Sequence, residues 1–143
     1  MTKLTALAVA KARPGSTRRE IHDRGCPGLF LVIQPTGHRS WAVRYRYRGL
    51  PRKLTLGPAL VGDQAEPKRA PEIDTPLSLS AARVLCTEAL RKAKSGIDPA
   101  EEKRTRKMAE RAAEADTLQV VCDTFLELIE KERPMRTLDQ RRR

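Results

Sequence analysis

Between Trp41 and Arg48 apolar and basic side chains alternate: Trp41, Val43, Tyr45 and Tyr47 have one parity, Ala42, Arg44, Arg46 and Arg48 the other. A period of two sends successive side chains to opposite sides of a pleated strand, so the run predicts a strand with an apolar face and a cationic face. Leu29 to Gln34 and Arg52 to Leu56 continue the pattern. Leu29, Leu31, Ile33, Leu54 and Leu56 share the apolar parity, while Lys53 and Thr55 join the arginines. Turn signals at Pro27-Gly28, Pro35-Thr36-Gly37 and Gly49-Leu50-Pro51 leave connections so short that neighbouring strands must pair antiparallel. The pattern allows, but does not require, a short edge strand around Glu20 to Asp23.

Elsewhere the period is helical. Residues 2 to 12 read as a short helix with Thr2 as candidate N-cap and Pro14-Gly15 as its stop. From Ser78 or Ser80 as N-cap, Leu79, Ala82, Leu85, Cys86, Ala89, Leu90 and Ala93 form one stripe that ends at Gly96, and this helix is expected to back the sheet. Asp98-Pro99-Ala100-Glu101 has the chemistry of a new helix start, with Asp98 as cap and Glu101 closing a capping box. That helix is charged all round to Asp116 and reads as a solvated linker. After Thr117 a stripe of Leu118, Val121, Cys122, Phe125, Leu128 and Ile129 runs to a stop at Pro134, with nothing left in the chain to pack against it. Residues 58 to 77 hold Pro58, Pro67, Pro71 and Pro76 without periodicity and are expected to form a long loop.

The fold class implied is α+β: a small three-stranded antiparallel sheet backed by a helix, then a linker helix and an incomplete helical segment. The domain divisions fall at residues 1–97, 98–116 and 117–143.

Charge sharpens the picture. The chain of 143 residues has a net charge of +11, and the stretch up to Gly57 owns nearly all of it, with twelve Lys/Arg against two Asp/Glu. A concentrated positive field attracts polyanions, which makes nucleic acid the leading partner class, duplex DNA first and an RNA-binding accessory role as a further option, with anionic membrane surfaces behind nucleic acid. No acid lies on the three predicted strands, so the arginine face is expected to lack an internal carboxylate and to need an external anion such as phosphate. Candidate contacts are Arg44, Arg46, Arg48, Lys53 and Thr55 on the face, with His38, Arg39, Ser40 and Arg52 at its edges. Trp41, Tyr45 and Tyr47 share parity with Val43, which favours core packing over base stacking.

Other chemistries find little support. Cys26, Cys86 and Cys122 have no metal or redox spacing and leave an odd thiol for any disulfide scheme, so neither metal nor cofactor is expected and a reducing cytoplasm is the simplest compartment. No stretch approaches a membrane span. His22 and His38 have no nucleophile partner at a recognisable spacing, and no glycine loop is arranged to cradle phosphate.

At these residues the chain resembles the N-terminal arm-type DNA-binding domain of tyrosine recombinases, in particular phage-type and island-type integrases. The resemblance is carried by LTALAVAKARPG (4–15), REIHD (19–23), GLFLVIQ (28–34), GHRSWAVRYRYR (37–48), RKLTLG (52–57), LSLSAAR (77–83) and GIDPAEE (96–102). Residues from Thr117 resemble the start of the core-binding helical domain that follows in such enzymes. The resemblance implies a DNA-positioning role at arm-type sites during integration of a mobile element. It also implies a fragment without the catalytic domain, so no enzyme is expected. Two departures stand out: the insertion 58–77, and Val32 at a position that is often basic. The alternative is a protein-interaction module, or an integrase remnant, acting through Leu118, Val121, Phe125 and Leu128 on a second copy or on an intact integrase.

Overall fold

The computed structural model describes residues 3–62 and 68–132. Its elements are α1 (Ala6–Lys11), β1 (Arg19–His22), β2 (Leu29–Ile33), β3 (Arg39–Tyr47), β4 (Leu50–Pro58), α2 (Leu79–Lys94) and α3 (Pro99–Glu132). The chain divides into two compact units, one up to Glu102 and one from Lys103.

In the first unit four strands form a meander in the order β1-β2-β3-β4, all antiparallel. The sheet therefore has four strands rather than three. The segment around Glu20 does form the edge strand, pairing Arg19 with Ile33 and His22 with Phe30, which covers the otherwise open edge of β2. The β3–β4 turn consists of Arg48 (φ 50°) and Gly49 (φ 80°), two left-handed residues whose twist matches that of a tight hairpin. Arg48 thus leaves the strand that its parity suggested.

The apolar parity builds one core. Leu29, Leu31, Ile33, Trp41, Val43, Tyr45, Leu54 and Leu56 are buried with Ala82, Leu85, Cys86 and Ala89 of α2, and Leu4 and Val9 close the N-terminal end. The indole nitrogen of Trp41 donates to the Leu77 carbonyl at 3.0 Å, which satisfies its only polar atom. Ser78 caps α2 by accepting from the Ala81 amide at 3.2 Å, and Gly96 (φ 91°) follows its end.

Two close approaches demand glycine. Gly28 has φ 90°, and a Cβ there would lie 2.6 Å from the Arg44 carbonyl oxygen, where the Arg44 amide donates to Gly28 at 2.8 Å. At Gly57 a Cβ would collide with the Thr75 carbonyl, because the segment after β4 folds back on the sheet through an Ala59–Leu77 bridge. The expected loop 58–77 is therefore pinned at its base, while residues 63–67 within it lie outside the described residues.

Helix α1 starts later than expected. Thr5, not Thr2, is the cap, its hydroxyl accepting from the Ala8 amide at 3.1 Å, and Thr2 lies outside the described residues. Thr117 lies inside α3, its hydroxyl donating to the Ala113 carbonyl at 2.9 Å. The stop at Pro134 and the Arg141–Arg143 terminus fall outside the described residues.

Candidate nucleic-acid interface

Because Trp41, Val43 and Tyr45 enter the core beneath α2, pleating sends Ser40, Ala42, Arg44 and Arg46 to the opposite side of the sheet. Register completes that face. Arg44 stands opposite Lys53, Ala42 lies between Thr55 and Phe30, and Ser40 is opposite Val32, itself paired with Glu20. Phe30, Val32 and Ala42 form a second, small apolar cluster here, and all three are buried. Their cover is cationic: the Arg44 guanidinium lies 4.7 Å and the Lys53 ammonium 5.1 Å from the Phe30 ring centre, with the His22 ring tilted at 5.4 Å.

The expectation that this face lacks a carboxylate is overturned. Glu20 on β1 sits among the cations, 2.5 Å from Arg44, 2.9 Å from Arg18 and 3.4 Å from Lys53. Burial alone would raise its pKa, but Arg44, then Lys53 and Arg18, reverse that and hold the carboxyl below the usual glutamate range. No sequence period marks β1, a strand of four residues, so its acid escaped the alternation argument.

The other candidates divide. Arg46 and Thr55 are exposed on the face, and Arg46 makes no ion pair among the described residues. Ser40 is half-buried on the same face, and His38 is exposed at the β2–β3 turn. The structure does not bring Arg39, Arg48 or Arg52 to this face. Arg39 has the core parity and donates to the Ala12 carbonyl at 2.7 Å. Arg48 stacks on the Tyr47 ring at 5.4 Å. Arg52 pairs with Tyr45 on the helix side, its Nε 3.5 Å from an Asp98 carboxylate oxygen.

Trp41 and Tyr45 are core residues, as their parity implied. The Tyr45 hydroxyl donates to Asp98 at 2.5 Å and accepts from the Ala100 amide at 3.1 Å, and burial followed by the Asp98 contact pushes its ionisation well up. Tyr47 is half-buried and donates to the Gly96 carbonyl at 2.8 Å. Asp98 thus caps α3 through Ala100 and also ties that turn to β3 and β4, a second role its sequence position did not reveal. Sequence reasoning also missed Asp23. This buried carboxylate accepts from the Leu4 and Gly25 amides at 3.1 and 2.9 Å and from Arg83 Nε at 2.7 Å, joining the N-terminus, the β1–β2 turn and α2.

Residues 4–106 match the family model for the Arm DNA-binding domain, which covers the whole sheet and α2. The chain belongs to the Arm DNA-binding domain family. Among curated proteins it is similar to the prophage integrase IntZ of Escherichia coli strain K12, with 29% identity over 106 residues. That stretch is 74% of this chain but 23% of the relative, so the chain spans about a quarter of the integrase it matches. An arm domain binds DNA, and its sheet carries a cationic side turned away from α2. No helix among the described residues is long and apolar enough to cross a membrane.

Proposed function

We propose that this chain recognises arm-type sites of a mobile element through the outer face of its sheet, positioning duplex DNA for site-specific recombination of the tyrosine recombinase kind. The observation that carries the reading is the convergence of Arg44, Arg46, Lys53 and Thr55 from two paired strands on the side of the sheet opposite α2. A small sheet enters the major groove, where Arg reads guanine through two hydrogen bonds while Lys and Thr hold phosphate. Ser40 and His38 extend the contact toward the β2–β3 turn. We assign no catalytic role to these residues.

Binding to duplex DNA across a salt series tests the proposal. Arg46→Ala should lose about 1–3 kcal/mol and flatten the salt slope by about one unit. Arg52→Ala, on the helix side, should bind as the unaltered chain does. Equal affinity of Arg46→Ala and the unaltered chain would remove the face from the reading.

A second reading is favoured by one observation in the other unit. Leu118, Val121, Phe125 and Leu128 of α3 are 65%, 59%, 61% and 54% exposed, at the 3-4-3 spacing of a helix pairing with its own copy. Sedimentation equilibrium should then show a concentration-dependent dimer that Phe125→Asp abolishes. A strictly monomeric chain would exclude self-pairing.

A further inference from the structure

The cations of the DNA face are not equally free. Arg44 and Lys53 lie over the Phe30 ring, and Glu20 braces both, one carboxylate oxygen on Arg44 and the other on Lys53 and Arg18. Arg46, the next residue on the same face, has no such brace among the described residues. An aromatic floor and a shared carboxylate fix two long side chains that would otherwise sample many rotamers, so their ordering is met on folding rather than on binding. The carboxylate also takes up part of the donor edge of Arg44 and leaves the rest for another acceptor. A phosphate approaching there meets the negative charge of Glu20, whereas the O6 and N7 acceptors of a guanine edge carry no net charge. Repulsion therefore falls on the sequence-blind contact and spares the sequence-reading one.

We propose that Glu20 is a specificity-determining positioning residue of this face, holding Arg44 and Lys53 over Phe30 so that Arg44 reads a neutral base edge in preference to phosphate. The inference rests on the DNA-face reading above. It assigns to β1, through its one acidic side chain, a part in recognition that requires no contact with DNA. Removing the charge of Glu20 should accordingly strengthen binding to arbitrary DNA while weakening the preference among sequences.

The test compares the full-length chain with Glu20→Gln, using a random-sequence duplex and the duplexes that the unaltered chain enriches from a randomised library, each over a salt series. Glu20→Gln should bind the random duplex more tightly, with a salt slope steeper by about one unit as a released cation engages phosphate. Discrimination between enriched and random duplexes should fall about tenfold. If both affinity and slope for random duplex stay unchanged, or if both duplexes are bound more weakly in the same ratio, Glu20 has no such role. Circular dichroism confirms folding, and Glu20→Thr, which suits an edge strand, replaces Glu20→Gln should the latter fail to fold. Outcomes for the two proposals separate cleanly. Loss of salt-dependent binding by the unaltered chain, or indifference to Arg46→Ala, overturns the DNA face itself. Intact binding that Glu20→Gln leaves unaltered overturns only the inference about Glu20.

Discussion

Asp23 shows how one side chain can hold an N-terminus in place. Its carboxylate is fully buried, yet it accepts from two amides and from Arg83, which in turn donates to the Leu4 carbonyl at 3.0 Å. Burial would raise its pKa, but the Arg83 hydrogen bond, then the Gly25 and Leu4 amides, lower it below the ordinary aspartate value. Replacing it by Asn keeps the shape and leaves Arg83 without its counter-charge, so Asp23→Asn should cost about 3 kcal/mol, read as a lower urea midpoint at unchanged slope. The pH dependence follows from the direction of the shift. A carboxyl whose folded pKa is depressed contributes stability that is fully present above the unfolded pKa, about 3.9, and is lost as pH falls through the lower folded value. Thermal midpoints taken between pH 6 and pH 2 should therefore fall less steeply for Asp23→Asn than for the unaltered chain. Parallel curves would mean that Asp23 carries no linked proton.

Between elements, the decisive bonds join strands to the turn ahead of α3. Tyr45 and Tyr47 send their hydroxyls to Asp98 and Gly96, and Arg52 reaches Asp98 from β4. Tyr45→Phe retains the ring in the core but deletes one donor to Asp98 and one acceptor for Ala100, a loss of about 1–2 kcal/mol. Amide exchange at Ala100 should quicken in that variant while the β2 amides keep their protection relative to global unfolding. Equal protection would show that Asp98 caps α3 unaided. These bonds also mark where sequence reading stops. The strict alternation from Trp41 to Tyr47 made both faces of the sheet legible, and the stripe from Leu79 to Ala93 made α2 legible, because each burial pattern repeats at the period of its element. Glu20, Asp23 and Asp98 act through contacts with partners up to 60 residues away, and such contacts leave no period. Arg52, expected at the edge of the basic face, lies opposite the core residue Tyr45 on the helix side.

At the scale of the whole chain the two units differ in what stabilises them. The first buries a shared core of sheet and α2 around Trp41, which is the single tryptophan and fully buried. The second presents helix residues from Lys103 that are exposed along nearly all their length, including Val120, Leu126 and Ile129 as well as the stripe. A helix whose described side chains are nearly all exposed draws its stability from propensity and side-chain pairs such as Arg106–Glu110, each worth about 0.3–0.5 kcal/mol, which leaves it marginal in water. Tryptophan emission should consequently report the first unit alone, whereas helical ellipticity is dominated by α3, the longest helix at 34 residues. In a dilute solution titrated with urea, ellipticity should begin to fall well before Trp41 emission changes, and the two curves should not superimpose. The early phase should move to higher urea as protein concentration rises if α3 pairs with a second copy, since association stabilises the folded form by mass action. Coincident, concentration-independent transitions would instead require α3 to unfold with the sheet, and would contradict the division of stability between the two units.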